Sequence, residues 1–160
     1  MKQSSTKTLR GLCYAALVVV ALGFVFLCIQ SYYILTTGSG PGVINWDSPR
    51  LGLKLGIFFA QRIAIITLIG LFVSFVLNIL KFLRAGQIFN RANVRLLWAL
   101  SIVVPFYAFL SDNVGQACSA TSEMNVMLSS DFFVYTLVIL IMAQLYKVAY
   151  DAAEEQKLTI

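Results

Sequence analysis

Apolar residues gather into four runs along the chain: Leu12–Leu35, Ile63–Leu80, Leu96–Leu110 and Phe132–Tyr146. Charged or turn-forming residues bound each one. Within a run the apolar positions cover every face, and such a helix belongs in a large core or in lipid. A hydrocarbon core of about 30 Å takes about 20 helical residues. The first run has 24 residues, broken only by Gln30 and Ser31, and the second has 18, or 26 if it starts after Lys54. The third is long enough if it begins near Arg91 and ends near Asp112. The fourth runs from Asp131 past Tyr146, with Gln144 inside it. The pattern predicts an all-α transmembrane bundle of four helices, one integral membrane domain over 1–160, with spans near 11–35, 55–80, 92–112 and 131–150.

Composition supports lipid as the solvent. Hydrophobic residues make up 59% of the chain and charged residues 12%. A soluble domain of this length cannot hide so much apolar surface. The first run follows Lys2, Lys7 and Arg10, as a signal peptide would, but its 24 apolar residues exceed the usual span of about 7–15. No A-x-A site follows it, and Cys28 follows Val-Phe-Leu rather than the small residue a lipoprotein site needs. It reads as a retained anchor.

Lysine and arginine set the orientation. Lys2, Lys7, Arg10, Lys81, Arg84, Arg91, Arg95, Lys147 and Lys157 fall on one side, and Arg50, Lys54 and Arg62 on the other. The excess places both termini and the middle loop in the cytoplasm. The second external segment, Asn113–Ser130, has no Lys or Arg, in agreement. The same rule and anionic lipid account for the net charge of +5, so direct nucleic-acid binding is not expected. The expected location is a bacterial cytoplasmic (inner) membrane, with the lipid bilayer as first partner.

The loops are short. Thr36-Thr-Gly-Ser-Gly-Pro-Gly ends the first helix, and Trp46 suits the headgroup level. No internal repeat is visible. Cys13, Cys28 and Cys118 read as unpaired thiols, with an external Cys28–Cys118 disulfide as the alternative.

In the second helix Gly56, Ala60, Ala64, Thr67, Gly70, Ser74 and Asn78 share one stripe. Small residues let helix backbones approach closely, so the stripe reads as a packing face inside the bundle; the other reading is a polar seam along a small-molecule path. Ser101, Pro105, Ala108 and Asp112 form a weaker stripe on the third helix. Arg62 falls opposite the first stripe and would face lipid at a helix centre, at a cost of about 2.5–3.5 kcal/mol. It is therefore expected at the outer interface, reaching headgroups or pairing with Asp47 or Asp112.

Chemistry is narrowed by exclusion. The chain has no histidine, which removes the commonest general base and metal ligand. Its cysteines lack C-x-x-C spacing, and no nucleotide-loop, G-x-S-x-G or H-E-x-x-H motif occurs. All seven carboxylates lie outside the apolar runs, whereas proton-coupled carriers place one inside the membrane. No catalytic residue, metal ligand or cofactor site is assigned, and the chain is not expected to be an enzyme.

Between the second and third helices stands Gly86-Gln-Ile-Phe-Asn-Arg-Ala-Asn-Val-Arg-Leu-Leu. Gly86 suits the left-handed position that ends a helix. Asn90 can cap the next one, with Asn93 as reciprocal partner and Phe89 stapled onto Val94 or Leu97. The segment is a rigid corner or a docking surface for a cytosolic partner. The chain ends Glu154-Glu155-Gln156-Lys157-Leu158-Thr159-Ile160. Together these segments resemble DUF2975, a family of small bacterial four-helix membrane proteins. That family carries a G-x-x-F-[ST]-x-x-N-V-x-x-L-like loop, matched at Gly86, Phe89, Asn93, Val94 and Leu97, and an E-x-x-L-T-[VI]-like ending, matched at Glu155, Leu158, Thr159 and Ile160. Asn90 departs from Ser or Thr but keeps a capping role. Asp151-Ala152 replaces an expected glycine, so the fourth helix should run on unbroken. The resemblance implies no established activity; some members sit beside small helix-turn-helix regulators, which suggests such a cytosolic partner.

The sequence thus points to a non-enzymatic sensory or regulatory membrane protein acting through its cytoplasmic loop and C-terminal tail. The alternative is a small channel or carrier using the small-polar face of the second helix. Glu154 and Glu155 should emerge beside Lys81, Arg84, Arg91 and Arg95, either docked there with Leu158 and Ile160 near Phe89 or as a solvated tail. Orientation is open to test. Reporter fusions at residues 45, 88, 120 and 160 should read outside, inside, outside and inside. An external reading at 88 would overturn it.

Overall fold

A computed structural model describes residues 3–37, 44, 46–84, 89–115 and 126–158. It contains four helices: α1 (Gln3–Thr36), α2 (Leu51–Arg84), α3 (Arg91–Val114) and α4 (Ser130–Leu158). Each is long and apolar enough to cross a membrane, with mean hydropathy of 2.8, 2.7, 1.8 and 1.9 in the most apolar windows. No strand occurs among the described residues. The chain is therefore an all-α bundle of four membrane-spanning-capable helices, a multi-pass design suited to lipid.

Most of each helix surface stays outside the fold. Leu12, Val19, Leu22, Phe26, Ile63, Ile102 and Leu137 are well exposed. In water such exposure would drive aggregation; in a bilayer it is ordinary lipid contact. Length tells the same story. The 34 residues of α1 and of α2 make rods of about 51 Å, well beyond a 30 Å hydrocarbon core.

Helices pack in chain order: α1 on α2, α2 on α3 and α3 on α4. Leu97, Leu100 and Ala143 form the shared core of α2, α3 and α4, flanked by Leu68, Leu71, Phe75, Ile139 and Tyr146. A second cluster of Ile34, Ile44 and Phe58 ties α1 to α2 at the opposite end. That end also holds residues 126–129, an extended strap leading into α4; we call it the strap end. The other, where α2 turns into α3, is the corner end.

The strap end is unexpectedly polar. Lys54 is 1% exposed, and its Nζ donates to Ser48 Oγ at 2.5 Å. Gln61 and Asn113 are buried with it. Arg50, just before α2, has φ of 64°, a left-handed backbone rare for a residue with a side chain. Its carbonyl accepts the amides of Leu53 and Lys54 and so starts the helix. Asn113 clamps the strap, donating from Nδ2 to the Met127 carbonyl at 2.8 Å and accepting the Met127 amide on Oδ1 at 2.9 Å. Asp112 Oδ2 accepts the Ser129 amide at 3.0 Å.

One expectation changes here. The small-residue stripe is not a packing face within this chain. Ala64 is buried, Ala60 and Asn78 are half-buried, but Gly56, Thr67, Gly70 and Ser74 are exposed. A Cβ added at Gly56 or Gly70 would meet nothing within 4 Å. Thr67 and Ser74 turn their hydroxyls back to the carbonyls of Ile63 and Gly70. The stripe lies on the surface because α3 packs against the flank carrying Leu68, Leu71 and Phe75. Arg62, expected at the outer interface, is half-buried toward α1, with Nη1 3.4 Å from Gln30 Oε1 and its guanidinium 4.9 Å from the Phe58 ring centroid. This contact gives the cation a polar partner and an aromatic face. Cys13 and Cys28 are free thiols, and Cys118 lies outside the described residues.

The open side of the stripe generates a prediction. Ala64→Leu forces a large side chain into a packed site and should destabilise by about 1–3 kcal/mol. Gly70→Leu should stay within about 0.5 kcal/mol of the native chain, since it points into open space. Thermal melting of both variants in detergent separates the two; equal losses would mean that the stripe is packed after all.

Candidate functional site

The corner end gathers the loop motif around one side chain of α4. Asn90 has the extended backbone of a helix cap, with φ of −144° and ψ of 153°. Its Oδ1 accepts the Asn93 amide at 2.8 Å, so α3 starts where the cap places it. The reciprocal half of that box does not form. Asn93 is fully buried and instead donates from Nδ2 to Tyr146 Oη at 3.3 Å, across 53 residues of chain. Phe89 also reaches α4. Its ring stands edge-on to Tyr146, with centroids 5.2 Å apart. Phe75 of α2 meets the same ring at 5.8 Å. Tyr146 therefore sits between α2, the corner and α3, held by two aromatic edges, the Asn93 side chain and the Asn90 backbone.

Leu97, the last motif residue, is buried beside this group, and Val94 is half-buried. Gly86 lies outside the described residues. The motif residues that can be placed thus converge on α4 from a single corner. An apolar groove of about 500 Å³ opens between α2 and α4, lined by Phe72, Phe75, Phe89, Leu97, Met142 and Tyr146 among others. Two buried amide atoms here, Asn90 Nδ2 and Asn93 Oδ1, make no hydrogen bond. Leaving such atoms dry costs free energy, so the corner spends stability to hold its shape.

The C-terminal motif lies mostly outside the described residues. α4 runs unbroken through Asp151-Ala152 to Leu158, twelve residues past Tyr146. At 1.5 Å per residue, the backbone of Leu158 lies about 18 Å farther along the axis. Glu155 is exposed on the same extension. The side chain of Leu158 and all of Thr159 and Ile160, with the contact expected at Phe89, lie outside the described residues. Sequence reasoning missed Tyr146 as the hub. Its phenol among apolar neighbours was the one available signal, since a buried tyrosine hydroxyl needs a partner.

No group of three or more metal-ligating side chains occurs among the described residues. No family model matches this chain, and no curated protein and no solved structure matches it either.

The hub makes a direct prediction. Tyr146→Phe keeps the ring and its aromatic contacts but removes the acceptor for Asn93, and should cost about 0.5–2 kcal/mol. A double-mutant cycle with Asn93→Ala, read by unfolding in detergent, should show coupling of at least about 0.5 kcal/mol. Strictly additive losses would mean that the two side chains do not interact.

Proposed function

We propose that this chain is a multi-pass protein of a bacterial cytoplasmic membrane, a member of DUF2975, and a non-enzymatic sensory or regulatory component. Both termini and the α2–α3 corner face the cytoplasm in this reading, as the distribution of Lys and Arg favours. The observation that carries it is the grip of Phe89 and Asn93 on Tyr146. The corner and α4 move as one body while that grip holds. A change in α4 within the bilayer then alters both the corner and the helical extension bearing Glu154 and Glu155. Surface and signal are linked without any chemical step.

The extension has the length for this role. The 29 residues of α4 make about 44 Å of helix, roughly 14 Å more than the hydrocarbon core takes up. A cytosolic helix-turn-helix regulator is the partner proposed, reading Arg91 and Arg95 on the corner beside the acidic extension. Charged surfaces of this kind govern encounter rate and specificity more than raw affinity.

Purification of the tagged chain from its native membrane, with Tyr146→Phe alongside, tests the reading. A stoichiometric helix-turn-helix protein that is lost or weakened in the variant is expected. Absence of such a partner, with solute flux from liposomes holding the pure chain, would replace regulation by transport.

A further inference from the structure

A second cavity, unrelated to the motif corner, opens at the strap end between α3 and α4. It holds about 470 Å³ and is lined by Leu68, Val104, Tyr107, Ala108, Ser111, Asp112, Asp131 and Tyr135. Its chemistry differs from that of the apolar groove. Asp112 closes α3 and Asp131 opens α4, so two carboxylates stand at the ends of facing helices. Two tyrosines, at 107 and 135, lie about one turn further along those helices, and Leu68 and Val104 form the apolar wall below. Among the described residues no Lys or Arg lines the space, and the sequence has none in Asn113–Ser130. On a chain of net charge +5, this is a local pocket of negative potential.

We infer that this cavity binds a small organic cation, an amine or quaternary ammonium group with an apolar body. Four features select that class. The volume falls within the range of small-molecule sites, about 300–1,000 Å³. The two carboxylates supply counter-charge beside low-dielectric walls, where it acts more strongly than in water. Tyrosine offers an aromatic face for a cation and a hydroxyl that accepts hydrogen bonds from an ammonium group. The apolar wall takes the body of the ligand. Competing classes fit poorly. An anion would meet two carboxylates and no base. A fully protein-coordinated calcium ion takes six to eight oxygen ligands at 2.3–2.6 Å, and a cavity this wide does not enclose one. A lipid chain has no use for the carboxylates.

The strap gives the site a defined rim. Asp112 is half-buried, and its Oδ2 is fixed by the Ser129 amide at 3.0 Å. Asn113, the next residue, holds Met127 on both sides of its peptide. One carboxylate is thus set in place by the backbone, while Asp131 is exposed at the mouth. The side of the membrane from which the ligand enters rests on the orientation proposed above; binding itself does not.

Isothermal titration of the detergent-solubilised full chain tests the site. The probe is benzyltrimethylammonium, with benzenesulfonate as an anion of similar size. Saturable binding of the cation and none of the anion is expected. Asp131→Asn should weaken binding at least tenfold, as should Tyr135→Leu. The Asp112→Asn/Asp131→Asn pair should abolish it, and Asp151→Asn at the far end of α4 should change nothing. Because Asp112 also holds the strap, each variant is checked for a cooperative melt, and Asp131→Asn serves where Asp112→Asn unfolds. Equal binding of the anion, unchanged cation binding in a folded Asp131→Asn, or no cation binding at millimolar concentration by the folded native chain would overturn the site. None of these results would bear on the partner experiment at the corner.

Discussion

The hydrocarbon interior gives these helices no hydrophobic reason to associate, because lipid tails solvate leucine as well as another helix does. Everything that fixes one helix against another must then come from close packing and from polar ties placed where water or a partner can satisfy them. The chain follows that constraint closely. Its shared apolar core is small, centred on Leu97, Leu100 and Ala143. Most of its buried polar residues lie toward the two ends, Ser48, Lys54, Gln61 and Asn113 toward the strap and Asn90 and Asn93 at the corner, with Ser101 between them. Each tie between helices costs desolvation and returns a specific geometry. This is why the two ends, rather than the middle, carry the candidate chemistry.

The ends are built differently. At the strap end the ties that hold the start of α4 join side chains to backbone: Asn113 to Met127, Asp112 to Ser129. Such contacts hold a segment regardless of its side chains and so fix where α4 begins. Corner-end ties join side chains from distant parts of the sequence: Asn93 to Tyr146, Phe89 to Tyr146. They fix the rotation and depth of α4. The helix is thus pinned at its start by backbone and toward the corner end by one phenol. Each end leaves two neutral buried atoms without a hydrogen bond, Gln61 Oε1 and Ser129 Oγ toward the strap, Asn90 Nδ2 and Asn93 Oδ1 at the corner.

Much of this was legible in the residues, and the rest was not for definite reasons. The four helices follow from run length and hydropathy, which depend on composition alone. The Asn90 cap follows from local spacing, since its partner is three residues away. Asn93 was misassigned because a helix-start pattern cannot show that a tyrosine 53 residues later competes for the same amide. The stripe of Gly56 and Gly70 was misread for a related reason. Angular position on a helix says which residues share a face, not which neighbour covers that face. The sequence places Arg62 at the outer interface but cannot show that α1 brings Gln30 to it, since that pairing depends on how two helices meet. The strap-end cavity needed both α3 and α4 in register, so nothing short of the fold could bring Asp112 and Asp131 to one space.

The remaining asymmetry is α1. It meets α2 firmly at the strap end, through Ile34 against Phe58 and Gln30 against Arg62. Toward the corner end a recess of about 310 Å³ lies between the two helices, lined by Tyr14, Leu77, Leu80 and Lys81, beside the buried Cys13. α1 thus packs on one neighbour, α2. α3 packs between two, and it is held to α4 near both ends, through Asn113 on Met127 and through Asn93 on Tyr146. Close packing in lipid is supplied by neighbours rather than by solvent, so the helix with two of them carries the ties that set the register of the bundle.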